Sequence, residues 1–187
     1  MNLMRVLMAM ALIGSTFALA QRAPTIDGRI SAGEYAQTRK HERSGLTISW
    51  SIVGDTIFIA LQIESPGWMG IAMLAEREDR KRGADTYIFT MDGGRFTALD
   101  MIQVRRTDDP ELDTAEGGRN SILQSAGTHA GQTWTVEFSR KLKTGDATDM
   151  EIVPGQRFIL MIAIASKMDI KEEHRRGERW QIENFNF

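Results

Sequence analysis

The sequence predicts an all-β chain, an antiparallel β-sandwich of immunoglobulin-like type. Three observations lead there. Apolar and polar residues alternate with period two over several segments, turn residues separate those segments at regular spacing, and no long amphipathic helical pattern is present. Leu46-Thr47-Ile48-Ser49-Trp50-Ser51-Ile52 alternates, Val53-Gly54-Asp55 punctuates it, and Thr56 to Ile63 alternates again, which predicts a hairpin. Thr86 to Met91 and Phe96 to Val104 repeat the pattern across Asp92-Gly93-Gly94. Ser121 to Ala130 is expected to pair with Thr133 to Ser139 across Gly131-Gln132. Phe158 to Ala165 is the most apolar segment and is expected as a central strand buried on both faces. Many short strands with turns between them indicate a sandwich.

The N-terminus sets the compartment. Met1 to Ala20 carries one positive charge, Arg5, then an apolar run from Val6 to Ile13, and ends Ala18-Leu19-Ala20. That is the n-region, h-region and cleavage site of a signal peptide, so residues 1–20 are expected to be removed and 21–187 to form one domain. The apolar run is broken by Gly14-Ser15-Thr16 and is short for a membrane span of about 20 residues. No later segment is apolar enough to cross a bilayer, and the expected location is periplasmic or secreted. Losing Arg5 and no acid takes the formal net charge from −2 to −3, which argues against a nucleic-acid partner. The absence of cysteine excludes disulfides, thiol catalysis, iron–sulfur clusters and covalent haem attachment.

Two polar stretches interrupt the strands. Glu76 to Arg82 is a dense mixed-charge run, and Thr107 to Asn120 is rich in Asp, Glu and Gly. Both read as solvated loops, and loops at one end of a sandwich are also where binding sites sit. Asp85, Asp100, Asp108, Asp109 and Asp113 could form a calcium-type oxygen site, but their spacing matches no loop with a defined ligand order. They are expected to be solvated acids, with a structural cation as the alternative. No nucleophile elbow, metalloprotease helix or carboxylate pair in an identifiable cleft is present. The pattern therefore favours a non-catalytic electron-transfer or ligand-binding domain over an enzyme.

Three segments carry more information than the rest. They are Gly67-Trp68-Met69-Gly70-Ile71-Ala72-Met73, then Gly83-Ala84-Asp85-Thr86-Tyr87-Ile88-Phe89, and finally His174-Arg175-Arg176-Gly177. In this order and spacing, inside an all-β chain, they resemble the DOMON family, exported β-sandwich domains that bind haem b or sugars. The resemblance runs from about Thr25 to Phe187. The opening Thr25-Ile26-Asp27-Gly28, with Glu34-Tyr35 after it, also resembles the start of family 9 carbohydrate-binding modules.

The resemblance implies a ligand set. His174 matches the element where haem-binding members place an axial histidine, whereas His41 sits in a polar lead-in and His129 at a hairpin edge. The partner ligand in such members is commonly a methionine shortly before the Gly-Ala-Asp element, and here that position is Lys81. A lysine ligates only as the neutral amine, a form that burial favours. Met69 and Met73 are four apart, so on a strand they share a face with Ile71, and either offers a thioether instead. A third possibility is that the second ligand is lost. Trp50 and Trp134 are expected in the core, and Trp68, at a strand entrance, is the tryptophan expected to touch a ligand. Arg82, Arg175 and Arg176 flank the ligand segments and suit haem propionates.

Two functions follow. One is an exported b-type cytochrome domain that holds haem b non-covalently and passes single electrons to a redox partner protein or membrane cytochrome. The alternative is a module of the same fold that binds a sugar or other small ligand without redox chemistry. No other cofactor is supported.

Overall fold

The computed structural model describes residues 22–75, 82–105 and 108–187, and of residues 175–177 the backbone alone. The expected signal peptide and the run from Glu76 to Lys81 lie outside the described residues. Eleven strands and one 3-10 turn, Asp113–Ala115, make up the regular structure among them. The strands are β1 (Gln37–His41), β2 (Leu46–Val53), β3 (Thr56–Glu64), β4 (Met69–Leu74), β5 (Asp85–Asp92) and β6 (Arg95–Ile102). They continue with β7 (Glu111–Leu112), β8 (Gln124–Ala130), β9 (Thr133–Lys141), β10 (Phe158–Ala165) and β11 (His174–Phe185).

All pairings are antiparallel. One sheet has the order β1-β2-β3-β9-β8 and the other β11-β10-β4-β5-β6-β7. The two sheets pack face to face because alternation along each strand gives each sheet one apolar face. Ile57, Ile59, Leu61 and Ile63 of β3 and Trp134, Val136 and Phe138 of β9 form one half of the core. Met69, Ile71 and Met73 of β4, Tyr87 and Phe89 of β5, and Leu160, Ile162 and Ile164 of β10 form the other. Each such side chain contributes about 1.5–3 kcal/mol by leaving water. That is how a chain without disulfides holds together. Gly54 and Gly131 take positive φ, 62° and 65°, in the tight turns of the β2–β3 and β8–β9 hairpins.

The expected sandwich is the one observed, with three local differences. β1 is an exposed, charged edge strand that the alternation pattern does not mark, because an edge with no buried face needs no apolar residues. A short β7 lies inside the stretch read as loop. β10 is internal, but it is fully buried on one face only. Its other face, with Ile159, Met161 and Ala163, is half-buried. Among the described residues no third layer covers it, and the apolar residues there floor a groove.

Candidate functional site

The groove lies on the outer face of the six-stranded sheet and encloses about 1290 Å³. Ordinary small-molecule sites span roughly 300–1,000 Å³. Its floor follows from strand register. Gly70 and Ala72 of β4 face outward, and they pair with Ala163 and Met161 of β10 on one side and with Ile88 and Thr86 of β5 on the other. Small side chains thus sit side by side across two strands, leaving a flat apolar depression. Ile88, Met101 and Trp68 stand around it, while Trp180, in register with Ile162, packs its side chain against the core between the sheets.

Trp68 is only 6% exposed, and its indole N–H donates to the Glu172 carbonyl at 3.0 Å. That bond ties the entrance of β4 to the segment before His174. His174 opens β11, pairs in register with Ala165, and is half-buried on the groove wall. The rim is charged: Asp108, Asp109, Glu111, Glu172, Glu173 and Glu183 against Arg43, Lys171 and Arg179.

The family model for the DOMON domain matches residues 42–165, two-thirds of the sequence. The chain belongs to the DOMON domain family. Among solved structures, this DOMON domain is similar to the cytochrome b domain of pyranose dehydrogenase from Coprinopsis cinerea. The identity is 15%, over 78% of this chain and 78% of that one, with a TM-score of 0.51. The cytochrome domain of Myriococcum thermophilum cellobiose dehydrogenase matches at 8% identity, over 80% and 88% of the two chains, with a TM-score of 0.48. At such identities the first likeness speaks for the sandwich fold. Comparison with curated proteins finds no match.

The residues singled out in the sequence are placed differently by the fold. Trp68 and His174 line the groove together. Met69 and Met73 are fully buried between the sheets and point away from it, because they share parity with Ile71 on the core face of β4. Lys81 lies outside the described residues, as do the side chains of Arg175 and Arg176, and Arg82 is exposed. Trp50 and Trp134 are in the core as expected. His129 is engaged with the Ser65 carbonyl at 2.8 Å.

The sequence did not single out Met161 and Met101, the methionines that do line the groove, or His41 on its rim. Parity along β10 was the available signal for Met161. Phe158, Leu160, Ile162 and Ile164 fall on one face, so Met161 falls on the other.

The expectation of solvated acids fails for three of five. Asp85, Asp100 and Asp113 are 0%, 3% and 1% exposed, while Asp108 and Asp109 are exposed. Arg140, fully buried on the core face of β9, reaches across the sandwich to Asp85 Oδ2 at 2.5 Å and to the Tyr87 hydroxyl at 2.6 Å. Its other nitrogens donate to the carbonyls of Met150 and Lys141. Burial pushes the Asp85 carboxyl up to about 6, with Arg140 pulling down and Asp149 pushing up. It pushes Asp100 up to about 8, helped by the neighbouring acids and opposed by the Ser121 N–H.

Proposed function

We propose that this DOMON domain is an exported b-type cytochrome that holds haem b in the groove and passes single electrons to a redox partner. The carrying observation is a large groove with a flat floor of small and apolar side chains and a half-buried histidine on its wall. Those features suit a planar, largely apolar ring that needs an axial lone pair. When bound, haem supplies an iron that takes up and gives back one electron.

The residues supply everything else. His174 offers a ring nitrogen, and Gly70, Ala72 and Ala163 leave room for a flat ligand. Ile88, Met101 and Met161 keep water from it, and Arg43, Lys171 and Arg179 are the described cations for its carboxylates. We take Lys81 as the second axial group. The segment that carries it joins Leu74 to Asp85, at the end of β4 remote from Trp68, while His174 stands at the Trp68 end. Lys81 is also the position that the DOMON resemblance gives, since Gly83-Ala84-Asp85 follow it. Met69 and Met73 are disfavoured by their burial in the core. Lysine must lose its proton to ligate, at a cost of about 4–5 kcal/mol at neutral pH from an unperturbed pKa near 10.4. Iron ligation and burial have to offset that.

The expected signal peptide supports export. Among the described residues no helix is long and apolar enough to cross a membrane. The acid-rich rim suits a partner that presents a basic face, with association weakened by salt.

The test is reconstitution of the mature chain with haem b. A low-spin spectrum is expected, with its Soret band abolished by His174→Ala. Lys81→Ala should convert it to high spin, as should low pH. If the wild type takes up no haem, the sugar-binding or small-ligand reading replaces this one, with Trp68 as the tryptophan on the groove side of the sheet.

A further inference from the structure

Beside the groove, inside the end of the sandwich, lies a second group of side chains that haem binding does not use. Asp85 stands at the start of β5, Asp100 on β6, and Asp149 in the connection between β9 and β10. One carboxylate oxygen from each lies within 4.8 Å of the other two. The Asp149 side chain, like that of Asp85, is 0% exposed.

Their hydrogen bonds are divided in a consistent way. Asp85 Oδ2 accepts from Arg140 and from the Met150 N–H at 3.0 Å. Asp100 Oδ2 accepts from the Ser121 N–H at 2.6 Å, and Asp149 Oδ2 from the Ser121 hydroxyl at 2.5 Å. The Oδ1 atom of every one of the three is buried without a hydrogen-bond partner, and so is that of Asp113, whose Oδ2 accepts from Thr148. The nearest cation to Asp149 Oδ1 is Arg140 Nη1, at 3.8 Å, beyond hydrogen-bond reach. Buried carboxylate oxygens are normally satisfied, and a set left open together is what an absent ligand leaves behind. Three carboxylates and one guanidinium leave a formal charge of −2, which burial makes costly.

We propose that Asp85, Asp100 and Asp149 bind a divalent cation of the calcium class. All the donors are oxygens, which selects a hard ion. Two oxygens on a calcium ion at about 2.3–2.6 Å stand at most about 5 Å apart, so calcium spans the observed spread. The charge of such an ion cancels that of the site. It joins β5 and β6 of one sheet to the β9–β10 connection, whose Met150 carbonyl already holds Arg140 of the other sheet. In a chain without cysteine, this is a staple at the base of the segment between β4 and β5.

The proposal is tested on the mature chain stripped with chelator, then titrated with Ca²⁺ alone and, separately, with Tb³⁺. At a Ca²⁺ concentration one hundred times Kd, Tm should rise by roughly 5–10 °C. Tb³⁺ emission should be sensitised by Tyr87, whose hydroxyl shares a guanidinium nitrogen with Asp85. Asp100→Asn and Asp149→Asn should each remove both responses, while their metal-free Tm stays at or above that of the wild type, because the amide keeps the shape of the side chain and cannot become a buried anion. Absence of both responses in the wild type overturns the proposal. So does a full response in both variants, which would assign the ion to exposed acids such as Asp108 and Asp109. If either variant fails to fold, competition of Ca²⁺ against the Tyr87-sensitised Tb³⁺ signal in the wild type decides: no displacement overturns the site.

Discussion

Replacing Gly67 by alanine puts the geometry at the mouth of the groove to a quantitative test. Gly67 is buried where β4 begins, and its φ is not in the left-handed region, so space alone is at issue. A Cβ there would stand 2.6 Å from the carbonyl carbon of Lys167 and closer still to that residue's N and O. Ordinary contact begins at 3.4 Å, and both partners are backbone, so no rotamer change relieves the overlap. One chain must move by the better part of an ångström. The bonds in its way are Gly67 N–H to Ala165 O at 3.0 Å and Trp68 N–H to Lys167 O at 2.9 Å. Leaving a buried backbone group unpaired costs about 1–3 kcal/mol, so losing both bonds costs about 2–6 kcal/mol. That is a large part of an ordinary stability of about 5–15 kcal/mol. The shift also displaces Trp68, so ligand uptake should fall by more than the unfolded fraction explains. Gly70→Ala is the control. Its Cβ would meet the Tyr87 carbonyl at 3.1 Å and an Ile88 side-chain carbon at 3.4 Å, which asks for tenths of an ångström. It should cost less than about 1 kcal/mol. Urea unfolding followed by tryptophan fluorescence measures both. A Gly67→Ala protein within about 0.5 kcal/mol of wild type, or a Gly70→Ala protein equally damaged, would refute the reasoning.

Three further outcomes are expected. Glu137 is fully buried and accepts from the N–H groups of Gly28 (2.8 Å), Asp27 (3.1 Å) and Arg29 (3.1 Å) and from the Tyr35 hydroxyl (2.7 Å). Glu137→Ala should therefore cost about 3–5 kcal/mol in denaturant unfolding and free the N-terminal segment for proteolysis. It should also lower the Tyr35 pKa, held well above the ordinary value by burial and by the bond to Glu137, as read by ultraviolet titration. Met73→Leu should change stability by less than about 1.5 kcal/mol and leave the spectrum of the haem-reconstituted protein unaltered, since the side chain faces the core. In chelated buffer, stability should fall as pH rises. Asp85 and Asp100 have folded pKa values of about 6 and about 8, above the ordinary 3.8, so the folded state binds more protons across that window. Thermal midpoints measured from pH 5 to pH 9 check the sign, and a rising trend would contradict it.

The sandwich was legible because period two is written into every strand that buries a face. Ile57, Ile59, Leu61 and Ile63 announce β3 without any knowledge of its neighbours. β1 was silent because Gln37 to His41 bury almost nothing. The site was only half legible. Motif order names Trp68 and His174, which both line the groove, but which face of β4 floors that groove could not be read. Parity says that Met69 and Met73 share a face with Ile71, and it leaves open whether that face is core or groove until the other sheet is in place. The acids were misread for a related reason. Asp113 lies in a polar stretch, and Asp85 and Asp100 stand on strands whose pattern does not say which face a carboxylate takes; only tertiary pairing with Thr148, Arg140 and Ser121 brings the three inside.

One strand serving two surfaces has a consequence for how the groove holds its shape. Gly70 and Ala72 contribute little packing of their own, and a surface so bare would sag if it were not supported from behind. The support is Met69, Ile71 and Met73 on the reverse face of the same strand, each at most 1% exposed and locked among β3, β9 and β10 side chains. Core rigidity passes to the groove floor through the backbone itself, so the floor is ordered in advance of any ligand. Small residues are then tolerable on the groove floor, because the strand's stability is contributed by its other face. Variation among outward residues of β4, β5 and β10 can reshape the groove at small cost to folding, and the inward residues have no such freedom.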